Sequence, residues 1–120
     1  MRELQGVDEF RRFVASNDIA LIGFIDDDVD AKEYLRKLFS KLELKIGHVI
    51  SFAIYNVKDD VSIRISEDIN YIPLIRLYFK GRNVFEQENY FGNLQTDYYV
   101  LRISVRDVLS QYGIKLIFKP

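Results

Sequence analysis

The 120-residue sequence contains no cysteine. This absence excludes disulfide bonds, thiolate catalysis, cysteine-bound zinc and iron–sulfur clusters. Histidine is almost as scarce: His48 is the only one, too few for an ordinary multi-histidine metal site or a well-supported serine–histidine relay. We interpret His48 as a polar residue that opens a strand after Gly47. The sequence therefore predicts no metal, no cofactor and no catalytic residue.

An excess of charge and long hydrophobic runs are also absent. The 17 basic and 18 acidic side chains give a net charge of −1, so no long-range field favours nucleic acid or an anionic membrane. Apolar runs such as residues 19–25 are too short to span a bilayer, and the start, MRELQGVDEF, has no hydrophobic signal core. We expect a cytoplasmic protein with neither nucleic acid nor membrane as a partner.

What is present is the composition of a globular protein. Hydrophobic residues make up 48% and aromatic residues 14% of the chain, which excludes a disordered protein. The length fits one domain over residues 1–120, and no repeat or linker interrupts it. The many isoleucines, the two prolines and the lack of cysteine also fit a heat-adapted protein.

The first half of the chain alternates helices and strands. Residues 7–16 predict a helix with an apolar face, and the continuous apolar run 19–25 predicts a strand covered on both sides. Residues 29–44 predict a second helix that Gly47 ends, followed by a strand over 48–57 and a short helix from Lys58-Asp59-Asp60 to about Asp68. The predicted buried stripe of the second helix is Leu35, Leu38, Phe39 and Leu42.

The second half predicts a β-hairpin and a closing helix. Strands over 74–80 and 84–91 flank a turn at Gly81-Arg82-Asn83. Thr96 is the predicted cap of a helix over 97–112; the alternative makes 98–103 a strand. The alternating tail, GIKLIFKP, is compatible with an edge strand. The predicted buried stripe of the closing helix is Tyr98, Leu101, Val105, Val108 and Tyr112.

The order of elements and the segment YIPLIRLYFKGRNV (71–84) resemble the thioredoxin-like superfamily, from about Val7 to Tyr112. Pro73 and Gly81 keep the family's spacing between a cis-proline and the hairpin glycine, and Gly92 matches a later glycine. The resemblance implies a three-layer α/β/α sandwich with a central mixed sheet and a cis Ile72–Pro73 bond.

The same resemblance places Asp28-Val29-Asp30-Ala31 where the family has its Cys-Gly-Pro-Cys tetrad. Thiol–disulfide exchange needs a thiolate and a resolving thiol, and neither Asp28 nor Ala31 supplies one. The family's buried acid would fall on Ile22 and its helix proline on Arg36. We therefore predict a protein that is redox-inactive and not an enzyme.

Four carboxylates, Asp26, Asp27, Asp28 and Asp30, crowd this strand-to-helix junction. The favoured interpretation is that Asp28 or Asp30 caps the helix. A calcium loop is the alternative, but Ala31 and Lys37 stand where an EF-hand needs glycine and glutamate. Recognition of a partner by the acidic loop also stays open. The alternative function is a carboxylate-based or metal-assisted enzyme that uses the Asp26–Asp30 loop.

A peptide or protein partner is the function that the resemblance favours. In the superfamily, an extended peptide lies beside the cis-proline and pairs with the backbone of the preceding residue, which here is Ile72. This implies a binding site at Ile72 and Pro73, flanked by Asp27, Asp28 and Val29. Binding at a strand edge needs no cysteine, so we predict an interaction or structural module.

A second candidate interface lies on the closing helix. Tyr99, Val100 and Ile103 fall opposite its predicted core stripe, and exposed apolar clusters often mark interfaces. The partner there could be a second copy of the chain, as a homodimer; the alternatives are a rotated helix or a covering tail strand.

Core and hairpin packing accounts for the tyrosines interleaved with arginines, and Arg76 is expected to pair across the hairpin with Glu86 or Glu88.

Overall fold

The computed structural model describes residues 1–58 and 60–120. Asp59, which falls in the segment predicted to open the short helix, lies outside the described residues. The described elements run in the order β1 (Arg2–Leu4), α1 (Val7–Ser16), β2 (Ile19–Ile25), α2 (Val29–Ile46), β3 (Ser51–Asn56), α3 (Val61–Ser66), β4 (Leu74–Phe79), β5 (Arg82–Glu88) and α4 (Leu94–Gln111).

The strands form one mixed sheet in the order β1-β3-β2-β4-β5. β1 and β2 each pair with β3 in parallel, whereas β4 runs antiparallel to both β2 and β5. α2 and α4 pack on one face of the sheet, and α1 and α3 pack on the other. The predicted α/β/α sandwich with a central mixed sheet is confirmed.

The central strand β2 shows why the sequence folds this way. All seven of its residues are buried, because helices cover both faces of the sheet. A Cβ atom added at Gly23 would lie 2.9 Å from Leu35 Cδ1, so the missing side chain lets α2 pack closely on the sheet. The predicted bounds of α1 and β2 are confirmed, as is the buried stripe of α2, to which the structure adds Ala31 and Ile46.

The predicted strand over 48–57 was wrong at its start. The backbone N–H groups of Val49 and Ile50 donate to the Ile46 carbonyl, so the end of α2 continues as a turn and β3 begins only at Ser51. His48 is exposed in that turn and does not open a strand. The short helix is also shorter than predicted, since α3 begins after its N-cap, Asp60, and ends at Ser66.

The hairpin turn is tighter than predicted. Lys80 and Gly81 both adopt positive φ, as the central residues of a two-residue type I′ turn do. β5 therefore already begins at Arg82, and the assignment of Arg82-Asn83 to the turn was wrong. β5 ends at Glu88, which leaves residues 89–91 in a loop.

The closing helix begins earlier than predicted. Asn93, not Thr96, is the N-cap, because its Oδ1 accepts the Thr96 backbone N–H at 3.0 Å. The alternative strand over 98–103 was wrong. In the buried stripe, Leu109 is fully buried, whereas Tyr112 is half exposed.

The tail after α4 forms no strand within residues 114–120. Its backbone instead reaches α2, where the Lys119 N–H donates to the Lys45 carbonyl at 2.9 Å, and Leu116 is buried in the core. Across the described ranges, no helix has the length and apolar character that crossing a membrane requires.

Candidate functional site

The loop between β2 and α2 lies beside Ile72 and Pro73. A cleft of about 240 Å³ separates them and is lined by Ile25, Asp26, Asp28, Ala31, Ile72 and Pro73. The Ile72–Pro73 peptide bond is cis. The structure thus brings together the two sequence segments from which a peptide site was predicted.

Asp28 is the residue that caps α2. Its Oδ1 accepts the Ala31 backbone N–H at 3.1 Å, so the capping interpretation is confirmed for Asp28. This bond satisfies one of the free donors in the first turn and places a negative charge at the positive end of the helix dipole.

The two preceding aspartates are held by cations from the β3–α3 region. An Asp26 oxygen lies 2.8 Å from Arg64 Nη2, and an Asp27 oxygen lies 2.9 Å from Lys58 Nζ. The hydrogen bond and charge of Lys58 lower the pKa of Asp27. Asp27 points away from the Pro73 cleft and lines a separate cavity of about 540 Å³ at the carboxyl ends of β1, β2 and β3.

The positions that would carry redox chemistry have structural roles. Ala31 is 2% exposed and packs in the core between α2 and the sheet, and Ile22 is fully buried on β2. Among residues 1–58 and 60–120, no group of three or more His, Cys, Asp or Glu side chains is arranged to hold a metal ion.

A third segment, the loop between β5 and α4, lies next to the cleft. The Asn89 N–H donates to the Pro73 carbonyl at 2.8 Å, and the Tyr90 ring stacks on Tyr34 of α2 with centroids 4.4 Å apart. Burial raises the pKa of Tyr90, and the charges of Asp28, Asp30 and Asp97 add to that shift. This loop therefore contacts both Pro73 and α2.

Asp97 anchors that loop and was missed by the sequence reasoning, which assigned it no role. The side chain is fully buried and accepts hydrogen bonds from Tyr34 Oη and from the backbone N–H groups of Phe91 and Gly92. Burial and the hydrogen bond to Asp97 raise the pKa of Tyr34. The available signal was an acid in the first turn of a helix that follows a loop glycine.

Exposed apolar side chains occur in all three segments. Val29 exposes 73% of its surface, Phe91 68% and Tyr71 45%. Val29 follows Asp28 and Tyr71 precedes Ile72, both of which line the cleft, and Phe91 follows Tyr90. In the part of the chain that the structure describes, neither the N–H nor the C=O of Ile72 forms a hydrogen bond.

The second predicted interface lies on α4 and does not line the cleft. Tyr99 and Ile103 expose about half of their surface, and Val100 is partly buried.

The pairing expected for Arg76 is confirmed, since its Nε lies 3.0 Å from Glu86 Oε1. Arg76 is buried and also donates to the backbone carbonyl of Glu67, so its role is structural.

Comparisons with known proteins identify the fold. No protein-family model matches the chain, and no curated protein matches it. Among solved structures, oxidised thioredoxin from Plasmodium falciparum superimposes with a TM-score of 0.73 at 13% identity, covering 88% of this chain and 97% of that one. Mitochondrial thioredoxin 3 from Saccharomyces cerevisiae gives 0.69 at 18%, covering 89% and 94%.

A mutant thioredoxin from Halobacterium salinarum gives a TM-score of 0.66 at 17% identity, covering 84% of this chain and 87% of that one. Identities this low establish shape alone, and function must be argued from the residues of the site. The chain has the thioredoxin-like α/β fold, built on a sequence without cysteine and therefore without the CxxC motif.

Proposed function

We propose that this protein is a redox-inactive thioredoxin-fold module that binds an extended segment of a protein partner in the Pro73 cleft. The observation that carries the proposal is the meeting of Asp28 and the Ile72–Pro73 turn in one cleft, with exposed apolar side chains at the neighbouring positions Val29 and Tyr71.

The backbone of Ile72 provides the main recognition element. Its N–H and C=O have no partner in the described residues and can pair with the main chain of an extended peptide, as in recognition by strand addition. Main-chain pairing gives affinity without depending on the peptide's sequence. Selectivity must then come from the side chains around the cleft.

Those side chains favour an apolar peptide with a basic flank. Val29, Tyr71 and Phe91 are large apolar residues that gain from burial by a partner. The charges of Asp26 and Asp27 are already met by Arg64 and Lys58. Asp28 lines the cleft and, among the described residues, forms no ion pair, so a lysine or arginine on the peptide would complement its charge.

The alternative, an enzyme that uses the Asp26–Asp30 loop, finds no support in the contacts. General acid–base or metal-assisted chemistry needs carboxylates that are free to take up a proton or a cation. Asp26 and Asp27 are in ion pairs and Asp28 caps a helix, which among the described residues leaves only Asp30 of the four without such a contact, and an acid–base pair or a metal site needs more than one carboxylate. Peptide binding uses the same loop without releasing any of these contacts.

The absence of redox activity is tested directly. A standard insulin reduction assay with dithiothreitol should show no acceleration by the pure protein, because neither Asp28 nor Ala31 can form a mixed disulfide. Turnover above the dithiothreitol background would overturn the redox-inactive part of the proposal.

Peptide binding is tested by selecting peptides from a random library on the immobilised protein. The site that a selected peptide occupies is then mapped from the changes it causes in the ¹H–¹⁵N NMR chemical shifts of the protein. We expect shifts around Asp28, Ile72 and Tyr90. Val29→Asp should weaken binding. The matched control is Val61→Asp, because Val61 is also exposed and also follows an aspartate N-cap, on α3. Failure to select any peptide, or equal loss in both variants, would reject the cleft as the site.

A further inference from the structure

Five basic side chains lie on a surface formed by α2, α4 and the tail. We call this surface the basic face, and its members are Lys37, Lys41, Lys45, Arg102 and Lys119.

Contacts between the elements show that the basic face is continuous. Lys41 Nζ lies 4.6 Å from the ring centre of Tyr98, and the Arg102 guanidinium lies 5.9 Å from the same ring. Arg102 also lies 4.1 Å from the ring centre of Phe118. The bond between the Lys119 N–H and the Lys45 carbonyl joins the tail to α2.

The cations of the basic face form no ion pair, which among the described residues is also true of Arg11, Arg12, Lys80, Arg82 and Lys115. None of the five has a carboxylate oxygen within 4.0 Å in the described ranges of the chain. By contrast, ion pairs engage Arg2, Lys32, Arg36, Lys58, Arg64, Arg76 and Arg106.

This distribution makes the molecule electrically asymmetric. Of 17 basic side chains, five lie on the basic face, which leaves 12 against 18 acidic side chains elsewhere. The remainder of a chain with a net charge of −1 therefore carries −6. A positive surface on an otherwise negative molecule directs an anionic partner towards that surface.

We propose that the basic face binds a short acidic segment of a protein partner. Lys37, Lys41 and Lys45 recur every four residues on α2, so they follow one side of the helix over about 12 Å. Glutamates with the same spacing on a partner helix would meet them one to one. Leu44, three positions after Lys41 and 76% exposed, offers an apolar contact beside the charges.

The size and charge of the molecule favour a short segment over nucleic acid or a membrane. The molecule measures 39 × 30 × 21 Å, and charges are screened over about 8 Å at physiological ionic strength. A long polyanion or an anionic bilayer would extend past the basic face to the negative remainder. Tyr98 is 5% exposed beneath its cations, so it is not available to stack on bases.

The test is fluorescence anisotropy with a labelled synthetic helical peptide that carries glutamate at every fourth position. We expect it to bind, to weaken as NaCl is raised, and to lose affinity roughly ten-fold with Lys37→Glu/Lys41→Glu. The matched control is Arg11→Glu/Arg12→Glu, which makes the same change of net charge at exposed residues of α1, on the opposite face of the sheet.

Variants that remove the charges without reversing them show whether a loss of binding in the glutamate variants comes from a folding defect. Lys37→Gln/Lys41→Gln should weaken binding in the same direction, with Arg11→Gln/Arg12→Gln as its control. Equal losses in the α1 controls, or no binding of the glutamate peptide, would overturn the proposal. So would tighter binding of a single-stranded oligonucleotide or of phosphatidylserine vesicles through the same lysines. Val29→Asp should leave binding of this peptide unchanged, which keeps the test separate from that of the Pro73 cleft.

Discussion

Removal of the Asp97 carboxylate should destabilise the protein more than the loss of any exposed acid. Asp97 is fully buried and holds three donors, the Tyr34 hydroxyl and the N–H groups of Phe91 and Gly92. Asp97→Ala would leave two backbone N–H groups and one hydroxyl without their acceptor. Water would have to enter the site or the loop would have to move.

The magnitude follows from these three contacts. Hydrogen bonds to a charged acceptor each contribute about 1.5–3 kcal/mol, and an unsatisfied buried donor costs about 1–3 kcal/mol. Since the loop can relax towards solvent in part, we expect Asp97→Ala to lower the free energy of unfolding by about 3–4 kcal/mol. Asp97→Asn should cost less, about 1–3 kcal/mol, because one amide oxygen still accepts.

Urea denaturation followed by circular dichroism measures these changes. The control is Asp107→Ala on the same helix, an exposed acid whose loss should change the free energy of unfolding by no more than about 0.5 kcal/mol. A double-mutant cycle of Asp97→Asn with Tyr34→Phe should show a coupling of about 1 kcal/mol. A cost below about 1 kcal/mol for Asp97→Ala would refute the assignment of Asp97 as the anchor of the loop.

Three further predictions concern the other aspartates. Asp28→Ala should cost about 1 kcal/mol of unfolding free energy, whereas Asp30→Ala should cost a few tenths; equal costs would contradict the capping assignment. Calcium or magnesium at millimolar concentration should leave the melting temperature unchanged, and a rise that Asp28→Ala abolishes would reveal a cation site. The hydrogen bond from Tyr55 lowers the pKa of Asp60. The contribution of this bond to the free energy of unfolding is therefore present above pH ~4 and is lost as the pH falls through the lowered pKa. Tyr55→Phe should therefore cost about 1 kcal/mol at pH ~7 and less at pH ~3 in urea denaturation, and a cost that does not fall with pH would contradict this.

The parts of the fold that could be predicted are those where packing repeats along the sequence. The apolar run of β2 and the stripe of α2 are buried as expected, because both are fixed by the covering of a sheet on two faces. The pairing of Arg76 was predicted only as far as Glu86 or Glu88, because the choice of Glu86 depends on the tighter turn and on the register shift between Leu77 and Tyr78.

The missed parts depend on contacts between distant segments. β1 has three residues, too few for a pattern, and is a strand only because it pairs with β3. Thr96 was taken as the cap because of its residue type, whereas the loop after Tyr90 places Asn93 there. The tail alternates like a strand, but it lies against α2 and forms no sheet pairing in residues 114–120.

The candidate site was predicted only in part, because some of its contacts join segments that are distant in the sequence. Sequence placed Asp28 beside Ile72 and Pro73 through the resemblance to thioredoxin, and the cleft joins them. Asp97 could not be found this way, because its burial depends on Tyr34, which is 63 residues away along the chain.

The strand-to-helix junction is capped and packed by residues that carry no thiol. A reactive thiolate needs an uncapped, positive helix end and an ionisable group buried nearby. Here Asp28 caps the helix, and Ala31 and Ile22 are aliphatic side chains in the core. The peptide pairing that we propose for the Ile72 backbone needs no thiol, so it is compatible with this junction.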